Sequence, residues 1–66
     1  MEIYVNGEAR EVPEGYTAQA LLEALGTAGR RVAMEVNREI VPRSEHERYV
    51  FRPGDRVEVV QAIGGG

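Results

Sequence analysis

The stretch Arg56-Val57-Glu58-Val59-Val60-Gln61-Ala62-Ile63 runs directly into Gly64-Gly65-Gly66. Four β-branched residues in eight, partly alternating with polar ones, predict a strand over residues 56–63. Side chains alternate across a strand, so Val57 and Val59 share one face while Val60 and Ala62 share the other. If the first pair meets the core, the second either forms an exposed apolar docking patch or is covered by Tyr49 and Phe51. Glycine lacks a Cβ and tolerates nearly any backbone conformation. Three of them reach roughly 10 Å when extended. Gly66 is the last residue of the sequence and is expected to carry a free α-carboxylate with nothing bulky beside it. Two readings follow: a slender arm that brings a carboxylate into another protein's narrow cleft, or a frayed chain end.

Such a strand needs partners, and the remaining sequence supplies them. Ile3 and Val5 alternate with Glu2, Tyr4 and Asn6, the period of a strand. Asn6-Gly7 is the pair that a type I′ hairpin turn requires, and residues 8–12 read as the returning, more polar strand near an edge. Pro13-Glu14-Gly15 makes a turn. Thr17 then offers a hydroxyl cap, and Ala18, Leu21, Leu22 and Leu25 recur at helical spacing to give one apolar stripe ending at Gly26. Alternation resumes at residues 31–37, with Val32, Met34 and Val36 inward and Ala33 and Glu35 outward. Asn37, like Gly7, reads as a turn former. Ile40-Val41, stopped by Pro42, permits a brief edge strand. Residues 43–48 are strongly charged and allow one helical turn with Ser44 as its cap; His46, between Glu45 and Glu47, reads as a surface residue. Pro53-Gly54 has the order of a type II turn. The order strand, strand, helix, strand, short strand, strand predicts an α+β chain. Its mixed sheet of four to five strands packs on one main helix, with the last strand beside the first. That is the β-grasp arrangement. Residues 1–63 form the single domain and residues 64–66 its tail.

Composition narrows the chemistry. The 66 residues contain no cysteine, which removes disulfides, thiolate metal sites and thiol nucleophiles. A lone histidine builds neither a triad nor a metal site. The net charge of −3 argues against a partner held through phosphate contacts. All eight basic residues are arginine, so the chain has no lysine through which to link to itself. No apolar run approaches the roughly 18 residues that suggest a membrane span, and no signal-peptide pattern opens the chain, so a cytoplasmic protein is expected.

Taken together, these residues resemble the sulfur carrier proteins of thiamine thiazole biosynthesis, a ubiquitin-like family. The similarity covers Met1-Glu2-Ile3-Tyr4-Val5-Asn6-Gly7-Glu8, Thr17 with Leu21-Leu22, and the run from Val32 through Asn37 and Ile40-Val41-Pro42-Arg43. It continues through Pro53-Gly54-Asp55 and ends in the terminal strand with its glycines. One departure is Gly64, where many relatives carry alanine or another small residue. The resemblance implies that the carboxylate of Gly66 is the functional group. It is adenylated by an adenylyltransferase related to ubiquitin-activating enzymes, with ATP and Mg²⁺ bound by that partner and no cofactor on the carrier itself. Sulfur from a cysteine desulfurase or another donor then gives a thiocarboxylate, which thiazole synthase consumes. Gly64, Gly65, Ile63, Ala62 and Val60 are the implied partner-binding residues.

Three other functions fit the same fold. The small sulfur-carrying subunit of molybdopterin synthase shares the glycine end, although the Ile-Val-Pro-Arg segment favours the thiamine side. A ubiquitin-like protein modifier would join its tail to lysines elsewhere. A β-grasp interaction module would bind a partner without using its last two glycines. An independent enzyme is disfavoured, because no acid–base pair, nucleophile or metal cluster stands out.

Overall fold

Strand β5 (Arg56–Gln61) lies at the centre of the sheet. The structure, a computed structural model, describes residues 1–61. The other strands are β1 (Glu2–Val5), β2 (Glu8–Glu11), β3 (Val32–Val36) and β4 (Glu39–Val41), and helix α1 spans Ala18–Ala24. The spatial order is β2-β1-β5-β3-β4. β5 runs parallel to β1 (Tyr4↔Arg56, Val5↔Val57) and antiparallel to β3, from Val36↔Val57 to Val32↔Gln61. A parallel neighbour demands a crossover. That is why the helix and the β3–β4 hairpin intervene between the two central strands.

Each local signal acts through an identifiable contact. Asn6 and Gly7 sit at φ 51° and 85°, closing the first hairpin in the left-handed region. The hydroxyl of Thr17 accepts from the Ala20 amide at 3.1 Å, satisfying a free N–H of the first helical turn. At the other end Gly26 (φ 75°) allows a Schellman closure. Thr27 N–H donates to Leu22 O at 2.9 Å and Gly26 N–H to Glu23 O at 3.1 Å. Arg52 O accepts from Asp55 N–H at 3.1 Å across Pro53-Gly54, with Gly54 at φ 82°, the conformation of a type II turn.

The helix stripe Ala18, Leu21 and Leu22 meets Ile3, Val5, Met34, Val36 and Val57 from the sheet, with Val12, Val41 and Phe51 closing the sides. Ile3, Leu21, Met34 and Val57 are the largest side chains fully withdrawn from water. Tyr16 and Tyr49 flank Phe51 at ring separations of 6.4 and 5.7 Å, so the aromatic cluster packs on the helix side of the sheet.

Two expectations are overturned in the segment after β4. His46 is buried, 4% exposed, although glutamates flank it in sequence. Its ring Nε2 lies 3.0 Å from the Val41 carbonyl, which only accepts, so Nε2 carries the proton. The chain around it is pinned by Gln19 N–H donating to His46 O at 2.9 Å. Ser44 is no cap: the 3₁₀ turn Arg43–Glu45 begins at Pro42, with no side-chain capping bond. Proline's fixed φ starts that turn, and Pro42 O accepts from Glu45 N–H at 2.8 Å, leaving Ser44 inside it.

Candidate functional site

The expected working group follows β5 in sequence, so the geometry of that strand frames the candidate site. Ala62, Ile63, Gly64, Gly65 and Gly66 lie outside the described residues; of the expected contact residues, Val60 lies within them. Val60 sits on the sheet face away from the helix, opposite Ala33, and is 59% exposed. Tyr49 and Phe51 pack on the other face and do not cover it. Along the outer face of β5 come Arg56, Glu58 and Val60. Arg56 lies over the Tyr4 ring at 5.0 Å, a cation–π contact, and Glu58 stands directly opposite Glu35. The outer face thus changes from charged to apolar toward the end of the strand.

Two asparagines that the sequence presents as turn formers do more than turn the chain. Both terminate a strand with positive φ, and both turn their side chains onto the backbone of β5. At the start of β5, Asn37 Oδ1 accepts from Arg56 N–H at 3.0 Å while its Nδ2 donates to Asp55 Oδ1 at 3.0 Å. Asp55 is buried, and its other oxygen accepts from Arg52 N–H at 2.8 Å, bracing the turn that feeds the strand. Further along, Asn6 Oδ1 accepts from Val59 N–H at 2.9 Å and Asn6 Nδ2 donates to Val59 O at 3.3 Å. The Asn-Gly and Asn-Arg pairs announce only the turns. The bonds to β5 join residues up to 53 positions apart, and no short-range pattern contains them.

Charged groups elsewhere are ordinary surface. Arg48 donates to Glu45 at 2.7 Å, and that hydrogen bond holds its guanidinium above its ordinary pKa. Burial first, and the Asp55 carboxylate second, push the Tyr49 phenol above its ordinary value of 10.0, so it remains a neutral hydroxyl at physiological pH. Among the described residues no three His, Cys, Asp or Glu side chains are grouped to hold a metal ion. Among the same residues no helix is long and apolar enough to cross a membrane.

Comparison with known proteins adds the following. The sequence model of the ThiS family matches residues 3–66. The Sulfur carrier protein ThiS of Escherichia coli (strain K12) is 33% identical over 66 residues, covering all of both chains. Thiazole synthases of Paramagnetospirillum magneticum and Magnetococcus marinus are 44% and 41% identical over the whole of this chain, which spans 20% of the length of each. Among solved structures, the crystal structure of the thiamine biosynthesis protein ThiS from Geobacter metallireducens superposes with a TM-score of 0.83. It is 33% identical, with both chains fully covered. The β-grasp architecture expected from the element order is therefore the one this chain shares with that solved ThiS structure.

Proposed function

The chain belongs to the ThiS family, and on that premise we propose that it is a sulfur carrier of thiamine biosynthesis whose working group is the carboxylate of Gly66. The observation that carries this reading is the full-length match to a sulfur carrier, joined to a central strand that is followed in sequence by Ala62-Ile63 and three glycines. A terminal carboxylate with a pKa of about 3.3–3.7 is ionised at neutral pH and is a poor electrophile. A carboxylate oxygen attacking the α-phosphorus of ATP releases pyrophosphate and leaves an acyl adenylate, whose leaving group is AMP. Hydrosulfide, or the terminal sulfur of a persulfide donor, then attacks the acyl carbon and expels AMP. With hydrosulfide the product is the thiocarboxylate, one proton going to solvent; with a persulfide the product is an acyl disulfide, which a thiol cleaves to the thiocarboxylate as it forms a disulfide with the donor's sulfur.

In this scheme the chain supplies no catalytic side chain. The adenylyltransferase binds ATP and Mg²⁺, a cysteine desulfurase or another donor brings the sulfur, and thiazole synthase takes it. The match to thiazole synthases supports that last partnership, since those proteins contain a segment similar to this whole chain. A side-chain-free arm suits the task, because glycine lets the carboxylate enter a cleft too narrow for a Cβ. The exposed Val60, at the apolar end of the outer face, fits the docking role better than a covered one.

The test is intact mass spectrometry of the chain after incubation with ATP, Mg²⁺, the cognate adenylyltransferase and sulfide. The expected product gains the mass difference between one sulfur and one oxygen, and fragmentation maps it to Gly66. A gain on any other residue, or no gain, refutes the proposal.

A further inference from the structure

Asn6 carries more than the hairpin. β5 directs the backbone groups of alternate residues toward β1: Tyr4 N–H donates to Asp55 O at 2.9 Å and Asn6 N–H to Val57 O at 2.8 Å. By the same alternation Val59 presents its N–H and C=O on that side. No β1 backbone remains to meet them, because the chain turns away at Gly7. The side-chain amide of Asn6 fills the vacancy. Its carbonyl accepts from Val59 N–H and its NH₂ donates to Val59 O. A primary amide has the donor and acceptor of a peptide group, so Asn6 adds one more rung to the parallel ladder after its main chain has departed. Past Val59, the described residues of β5 have their register partners on β3, Ala33 for Val60 and Val32 for Gln61.

We propose that Asn6 is a positioning residue for the charging reaction: its amide holds β5 at Val59 from the β1 side, fixing the strand that precedes the proposed working residue in sequence. This rests on the sulfur-carrier reading and goes beyond it by assigning a role to a residue that never touches the reacting atoms. A carboxylate at the end of an arm enters a narrow cleft productively when the root of the arm is fixed. If the root swings, the partner must immobilise it on binding, which weakens capture and leaves the chemistry of a seated tail unchanged.

Three variants separate positioning from stability. Asn6→Gly keeps the positive-φ turn and removes the amide. Asn6→Asp keeps an acceptor for Val59 N–H and loses the donor. Asn37→Gly removes the equivalent clamp at the opposite end of β5. Expected for Asn6→Gly are about five- to tenfold faster hydrogen exchange at the Val59 amide and a KM for the adenylyltransferase raised about three- to tenfold with kcat within about twofold. Asn6→Asp restores Val59 amide protection and recovers part of the KM. Asn37→Gly lowers stability yet leaves KM within about twofold. An Asn6→Gly chain with an unchanged KM overturns the proposal, as does an Asn37→Gly chain whose KM rises equally. If the wild-type chain is not adenylated at all, the sulfur-carrier reading falls and this proposal falls with it; charging of the wild type with no response to Asn6→Gly removes the proposal alone.

Discussion

Replacing His46 by alanine tests the least expected feature of the core. The imidazole is 4% exposed, and its Nε2–H donates to the Val41 carbonyl at 3.0 Å, so it joins the post-β4 turn to the edge strand. Truncation removes that donor, and the Val41 carbonyl keeps its place opposite Met34 in the β3–β4 ladder, so the lost hydrogen bond costs about 0.5–1.5 kcal/mol. Losing the ring's packing adds about 1 kcal/mol, since part of the void can collapse or take up water. The sum, about 1.5–2.5 kcal/mol, is large beside the roughly 3–10 kcal/mol that a chain of 66 residues commands. In a domain of this size each kcal/mol moves the melting midpoint by about 4–8 °C, so His46→Ala should melt roughly 6–20 °C below wild type. Urea and thermal unfolding followed by circular dichroism read the loss. Long-range ¹⁵N–¹H correlation of the wild-type imidazole gives an independent check, because the hydrogen bond requires the proton on Nε2. A melting midpoint within about 3 °C of wild type, or a neutral ring protonated on Nδ1, would refute the reasoning.

Three further outcomes follow from the same contacts. The raised pKa of the Tyr49 phenol means that its neutral form contributes stability fully below the unfolded value near 10 and loses it as pH climbs through the folded value; Tyr49→Phe should flatten the alkaline fall in stability, and phenolate absorbance should lose a component titrating above 10.0. Gly54→Ala should cost about 1–2 kcal/mol in urea unfolding, because φ 82° strains an L side chain even though nothing lies within 4 Å of the added Cβ; Gly54→Asn should cost less. Val60→Asp, on an exposed site, should change stability by less than about 0.5 kcal/mol yet weaken adenylyltransferase binding in a titration; equal binding would remove Val60 from the docking surface.

What the amino-acid sequence determined on its own was whatever depends on near neighbours. The alternation of Val32, Met34 and Val36, the helical stripe from Ala18 to Leu22, and the glycines needed at positive φ all express local geometry, and the fold class follows from their order. Thr17 was legible as a cap because its partner lies three residues away. Only the tertiary structure decided the fate of His46. Its glutamate neighbours suggest solvent, but the backbone bond from Gln19 and the carbonyl of Val41 draw the ring inward. The same holds for Asn6 and Asn37, whose left-handed turns are visible in sequence while their bonds to β5 span 53 and 19 positions. A side chain's distant partner is fixed by which strands become neighbours, and chain topology sets that adjacency, beyond the reach of any periodicity along the chain.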